Sequence, residues 1–216
     1  MMNFSDDTLN ILKNFSGINP SLMFKPGQTL RTISPQKTVM AAATIDESID
    51  SPAAVYDLSR FLSTLSLFDN PDIQFGQDKF TIQAGRSRVN YTYASESMII
   101  TPPERDIPLP DPEAVFNVAW DNIQNVIRAA GVLQLGEIAF KSDGTTISLS
   151  AVDSKNPTAD NYSVDVAEGN GSTFDMIIKV ENMRVMPADY QVSLSSKGMA
   201  HFKSDKVQYW IALESK

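Results

Sequence analysis

Thr101-Pro102-Pro103-Glu104-Arg105-Asp106-Ile107-Pro108-Leu109-Pro110-Asp111-Pro112 holds five prolines in twelve residues. Proline fixes φ and offers no backbone N–H, so such a run can be neither a helix interior nor a central strand. The stretch predicts an extended connector over 101–112, with a first domain at 1–100 and a second at 113–216.

Outward from the connector, each half begins with a helical pattern. Ser5 precedes Asp6 and Asp7 as an N-cap, and Thr8, Ile11, Leu12 and Phe15 recur at helical spacing, with Gly17 placed to close the helix. Leu58, Phe61, Leu62 and Leu65 repeat that spacing after Ser51-Pro52. In the second half Asp121 and Gln124 form a variant capping box ahead of Ile123, Val126, Ile127 and Ala130, with Gly131 beyond. A fourth helix is expected from Lys179 to Met186, ended by Pro187.

Strand-like runs follow every helix. They fall at 21–24, 29–33 and 38–45, then at 73–75, 80–83 and 89–93. In the second half they fall at 135–141, 146–152, 191–195, 199–203 and 207–213. Val207, Tyr209 and Ile211 alternate with Gln208, Trp210 and Ala212, the period of a sheet. The unit is one helix and about three antiparallel strands, repeated four times at intervals of roughly 50–65 residues. The expected fold class is α+β: two similar domains, each with two helices packed on antiparallel sheets.

Composition removes much chemistry. The 216-residue chain has no cysteine and one histidine, His201. Thiolate metal sites, disulfides and thiol nucleophiles are therefore absent, and imidazole-based sites are disfavoured. No catalytic residue, cofactor or metal is expected. Asp46-Glu47-Ser48-Ile49-Asp50 reads as a solvated acidic loop, and Glu168-Gly169-Asn170-Gly171-Ser172 as a turn that lacks the lysine of a phosphate-binding loop. Trp120 and Trp210 are expected in strands, and His201 on a strand surface. No apolar run reaches the length of a membrane span, and Met1–Asp7 lacks a signal-peptide pattern, so the expectation is a soluble, intracellular protein.

Several segments, in this order, resemble the sliding clamps of T-even-type bacteriophages, the processivity factors of their DNA polymerases. They are Leu12-Lys13-Asn14-Phe15 with Ile18-Asn19, Val55-Tyr56-Asp57-Leu58 with Phe61-Leu62 and Leu65-Ser66-Leu67, and Ile107-Pro108-Leu109-Pro110. Asn182-Met183-Arg184-Val185-Met186-Pro187 and Tyr209-Trp210-Ile211-Ala212-Leu213-Glu214 complete the set. The resemblance spans the chain. It implies two domains of the DNA-clamp fold in a ring-shaped homotrimer, helices inside and sheets outside. Such a ring encircles double-stranded DNA without sequence preference and tethers the replicative DNA polymerase. An ATP-driven clamp loader places it, late-transcription factors are further partners, no membrane is involved, and the location is the cytoplasm of the infected bacterial host.

The residues accord with that implication. The net charge is −8, against expectation for a DNA-binding surface, yet a ring held by closure needs only weak contact. Opposite the apolar stripes, the helices offer Lys13, Arg60, Arg128 and Arg184, which become the DNA-facing candidates. Ile107, Pro108 and Leu109, with Ile211 and Leu213, form a candidate partner-binding groove, and the same apolar residues also serve to anchor the linker. Val89, Tyr91 and Tyr93, and Tyr162 with Val164, mark two edge strands that would pair between subunits. Two other functions stand against the clamp: a structural phage assembly protein that encircles no DNA, and a metal-dependent nuclease using the acidic stretch at 46–50.

Overall fold

The computed structural model describes residues 2–156 and 158–214, so Met1 and the chain end at Lys216 lie outside the described residues. It divides into two compact units, Met1–Glu104 and Arg105–Lys216.

In the first unit, α1 (Asp6–Ile18) is capped by Ser5, whose hydroxyl accepts from Thr8 N–H. Thr8, Ile11, Leu12, Phe15 and Ile18 are buried along one stripe. The stripe packs on β2 (Gly27–Ile33), β3 (Val39–Ile49) and α2 (Leu58–Leu65). Between α1 and β2, β1 (Leu22–Phe24) pairs antiparallel with β4 (Ala53–Val55). Then β5 (Asp72–Phe75), β6 (Lys79–Ala84) and β7 (Ser87–Thr92) form an antiparallel sheet in that order. The core between them is aromatic: Phe61 lies 4.8 Å from Phe80, Phe75 another 4.8 Å from Phe80, and Phe24 meets all three. Full burial of each such ring contributes about 1.5–3 kcal/mol.

Expectation and structure part at the acidic stretch. Residues 46–49 are the end of strand β3 and not a loop, because Ile45 and Ile49 are buried on the strand's inner face. Glu47 turns to the start of α1, accepting from Ser5 N–H and the Thr8 hydroxyl. Burial pushes its carboxyl up, but those hydrogen bonds outweigh burial and hold it below its ordinary value. Its chemistry is that of a helix cap on a neighbouring strand.

In the second unit, β8 (Ala114–Val118) leads into α3 (Trp120–Leu133), followed by β9 (Glu137–Asp143), β10 (Thr146–Val152), β11 (Tyr162–Glu168) and β12 (Thr173–Lys179). The last four form an antiparallel sheet in the order β11-β10-β9-β12, and α3 packs on β9, β10 and β11. β13 (Tyr190–Ser195), β14 (Met199–Lys203) and β15 (Val207–Ala212) follow, with the antiparallel order β8-β13-β14-β15. Phe116, Phe140, Tyr190, Phe202 and Tyr209 fill the core.

Four local expectations are corrected here. The fourth helix does not form: residues 173–179 are strand, paired residue for residue with β9 from Asp143 to Glu137. Only Lys179 of the expected span joins that strand; residues 180–186 make a single 3-10 turn, Val180–Asn182, with no side-chain cap to start an α-helix and Pro187 ending the run. Trp120 is the first residue of α3 and not a strand residue; its N–H is accepted by Asp189 Oδ1 at 2.8 Å. That remote carboxylate takes the capping role expected of Asp121. Gly17 and Gly131 sit inside their helices on exposed faces, and α3 instead ends at Gln134 in the left-handed conformation, φ 56°. Among the described residues, no helix is long and apolar enough to cross a membrane.

The tip of the β9–β10 hairpin is joined to the segment that crosses from β11 to β12. Gly169 N–H donates to Thr145 O at 2.7 Å and Gly171 N–H to Gly144 O at 2.9 Å. A Cβ on Gly169 would sit 2.5 Å from Gly144 O, which no other residue type would fit without moving the backbone. The expected turn at 168–172 is therefore a crossover fastened to the β9–β10 tip.

Candidate functional site

The exposed helix faces are short polar stripes. On α1 the outward residues are Asp6, Asn10, Lys13 and Gly17, at the four-three-four spacing of one helical face. On α2 they are Ser59, Arg60 and Ser63, and on α3 Asp121, Gln124, Asn125, Arg128 and Val132. Asp6, Asp7 and Asp121 lie in first turns, where carboxylates complement the helix dipole. Charges on the three helices thus cancel: three carboxylates against Lys13, Arg60 and Arg128, with the −8 carried by the rest of the chain. Among the described residues those three cations make no salt bridge. The hydroxyls beside Arg60 are spent on their own helix, Ser63 donating to Ser59 O and Thr64 to Arg60 O. The long cationic side chains are therefore the reaching groups on these faces.

Arg184 departs from the other three. It is exposed, but lies on the loop after the 3-10 turn, and its Nε donates to Glu181 O at 3.0 Å. The helix expected to carry it is absent.

The connector is strapped to the second unit along β13–β15. Gln208 Nε2 donates to Asp106 at 2.9 Å, Trp210 Nε1 donates to Ile107 O at 2.9 Å, and the Ser195 hydroxyl donates to Pro110 O. Lys197 pairs with Asp111, and Glu113 accepts from Ser196. His201 stacks on Trp210 at 4.8 Å, with Nε2 3.0 Å from Gln208 Oε1. Burial lowers the His201 pKa from its ordinary value, and nearby Lys203 lowers it further against the opposing pull of Gln208 and Asp106. This strap holds Ile107 and Leu109 half-buried with Pro108 exposed between them. Leu213 is half-buried, its N–H donating to Gly198 O at 3.0 Å. Ile211 is 0% exposed and so supports this surface from beneath; it cannot touch a partner. Gln208 and Trp210 were missed as strap residues, because alternation in β15 reports two faces and not what covers the second; Ser195 and Lys197, at and after the end of β13, reach partners some 85 positions away that no local pattern reports.

Strands β7 and β11 each end a sheet. On β7, Val89 and Tyr91 are half-buried while Arg88, Asn90 and Thr92 are exposed. Tyr91 stacks edge-on to Phe61 at 5.3 Å and its hydroxyl donates to Asp57 O; Tyr93, just beyond, lies 4.7 Å from Phe80 and donates to Gly76 O. The tyrosines thus face their own core, and what β7 offers outward is backbone. On β11, Tyr162 and Val164 are half-buried and alternate with exposed Ser163 and Asp165.

Both halves of the chain match known families in chain order. Residues 5–101 match a model described as DNA polymerase processivity factor, and residues 115–215 one described as gp45 sliding clamp, C terminal. The chain is 31% identical to the sliding clamp of Vibrio phage KVP40, over 99% of this chain and 100% of that protein. It is 33% identical to the sliding clamp of Enterobacteria phage T4, over 99% of this chain and 97% of that one. Among solved structures it is similar to the Helicobacter pylori β clamp bound to a DNA ligase peptide, with TM-score 0.73, 11% identity, and 99% and 65% of the two chains covered. It is also similar to A. fulgidus PCNA bound by the C-terminal region of FEN-1, with TM-score 0.71, 13% identity, and 96% and 95% covered. At these identities the solved structures speak to fold alone.

Proposed function

The chain belongs to the phage sliding-clamp family of DNA polymerase processivity factors, and from that premise we propose that it works as a closed ring on duplex DNA. It is a clamp and not an enzyme: it tethers the replicative polymerase to DNA. The observation that carries this reading is the match of both halves, in order, to the two family models, with curated sliding clamps alike over 99% of the chain. Charge-balanced helix faces suit the task. A ring retained by closure needs weak, sequence-independent contact, whereas a strongly basic lining would hold phosphates too tightly to slide. Lys13, Arg60 and Arg128 are the DNA-facing cations in this reading, with Arg184 contributing from its loop.

The ring is a homotrimer, closed by pairing the open edge of β7 on one subunit with that of β11 on the next. Head-to-tail pairing of two different edges closes when the rotation permits, and it covers both. Ile107, Pro108, Leu109 and Leu213 receive a partner segment, first of all from the polymerase. Opening the ring falls to an ATP-driven clamp loader, late-transcription factors are further partners, and the site of action is the host cytoplasm.

Sedimentation across concentration, joined to retention on circular against linearised DNA, tests this. A mass three times 23.8 kDa is expected, with retention on circles and loss on linearisation. Monomer alone at tens of micromolar, or equal loss from both DNAs, would overturn it.

A further inference from the structure

Asn170-Gly171 lies in the crossover from β11 to β12, away from the helix faces, the connector apolar residues and the open strand edges. Of the chain's asparagines, only Asn170 is followed by glycine. That pairing is chemically labile, because a glycine has no Cβ to keep its backbone nitrogen from the preceding side-chain carbonyl. Both residues are exposed, so water and hydroxide reach them.

The fold nevertheless holds every group that would react. Gly171 N–H, the nucleophile, donates to Gly144 O at 2.9 Å. Asn170 Oδ1 accepts from Ser172 N–H at 3.1 Å, and Nδ2, the leaving group, donates to Glu113 O at 2.8 Å. Gly169 N–H, bonded to Thr145 O at 2.7 Å, closes the same fastening. Glu113 directly follows the proline-rich connector, and its carboxylate accepts from Ser196 N–H. The Asn170 amide therefore ties the crossover to the connector's end.

We propose that Asn170 is a deamidation site gated by this fastening, stable while the crossover is closed on the β9–β10 tip, and that its conversion unfastens the crossover. In the open state hydroxide takes the Gly171 N–H proton and the nitrogen bonds to Asn170 Cγ. The Cγ–Nδ2 bond breaks, and ammonia departs with a proton from water. Water then opens the five-membered imide, leaving an aspartate or an isoaspartate; nothing is oxidised or reduced. The new carboxylate has no proton to give Glu113 O, so two acceptors face each other where a hydrogen bond stood. The inference is independent of the clamp reading.

The test follows residue 170 of the full chain by peptide mass mapping at mildly alkaline pH, folded and in urea. Two backbone hydrogen bonds of ordinary net strength favour the closed state, so conversion should be at least about tenfold slower in the folded chain. Gly169→Ala, whose Cβ would sit 2.5 Å from Gly144 O, should raise the folded rate about fivefold or more. Gly144→Ala, at φ 96°, attacks the same contact from the other side. In Asn170→Asp, hydrogen exchange at the Gly171 amide should quicken about fivefold, the scale of one lost hydrogen bond. The comparison of folded with unfolded parent decides whether or not either glycine variant folds. Equal conversion in both states, no conversion in either, the parent's rate in the folded glycine variants, or unchanged exchange in Asn170→Asp would overturn the proposal.

Discussion

In the first unit, the short strand β4 has three residues and is followed by an eight-residue helix, α2, capped by Asp57, whose side chain accepts from Arg60 N–H at 2.8 Å. At the same point of the second unit, β12 has seven residues and is followed by one 3-10 turn; Lys179 precedes it and makes no side-chain cap. Strand and helix compete for a fixed length of chain. Where β-branched residues extend the strand and no cap is offered, the helix loses. The difference has a functional side, since it sets Arg60 on a helix face and Arg184 on a loop.

The largest effect should come from removing what seats α2. Phe61→Ala strips a ring shared with Phe24, Phe80 and Tyr91, and urea denaturation should show a loss of about 3–5 kcal/mol. A loss below about 1 kcal/mol would mean that α2 is not held by this packing.

Next is the strap of the second unit. Ile107→Asp or Leu109→Asp should weaken the polymerase's C-terminal peptide at least tenfold in calorimetry, about 1.4 kcal/mol or more, because a charge must be buried against an apolar partner. The variants should still sediment as trimers. Loss of the trimer would make the connector a structural element instead.

The capping contrast is open to direct attack. Asp57→Ala should cost about 1 kcal/mol, the usual worth of an N-cap. Supplying a cap by Lys179→Asn should leave the circular dichroism helix signal unchanged, since β12 is committed to β9. A gain in helix signal would show that the missing cap alone decides the second unit's fold.

Charge removal should scarcely touch stability. The quadruple Ala variant of Lys13, Arg60, Arg128 and Arg184 should change it by no more than about 0.5 kcal/mol per site, all four being exposed. Loading and polymerase stimulation should nevertheless fall, with Arg184→Ala alone weaker in effect than Arg60→Ala. Normal loading by the quadruple variant would remove these faces from DNA.

The smallest effect concerns Asp143 in the second unit's hairpin tip. Hydrogen bonds from Thr146 N–H and from the Thr145 side chain and backbone hold its pKa at about 2. A folded value below the unfolded one, about 3.9, stabilises fully above about pH 4, and that contribution is lost as pH falls toward 2. Asp143→Asn should therefore differ from the parent at neutral pH and converge with it near pH 2. A pH-independent difference would assign the effect to the amide's geometry.

What could be read beforehand follows from the range of each interaction. Ser5 announced α1 because a cap acts within three residues, and Val207, Tyr209 and Ile211 announced β15 because alternation is local. Trp210 broke that alternation, 3% exposed on the nominally outer face, because Ile107 covers it from 103 positions away. Glu47 likewise serves a helix start 42 residues earlier, and Asp189 one 69 residues earlier. The fourth helix failed in part for a related reason: its expected first residue, Lys179, is held in β12 opposite Glu137 of β9, 42 positions upstream. Site cations were legible as exposed charges, whereas the strap residues needed the tertiary contact.

The strap also orders events during synthesis. The first unit's three-stranded sheet joins residues no more than 13 apart, as in Lys79 with Thr92. Ile107 must wait for Trp210, and β8 for β13, so at roughly 5–20 residues per second these partners are separated by about 4–20 s of translation. Through that interval a nascent chain carries a finished sheet at its front and, behind it, an edge strand and a proline-rich tape with nothing yet to lie on. A ribosome stalled anywhere between residues 120 and 190 would hold that edge out indefinitely, and codon choice over this window becomes a lever on the yield of folded protein.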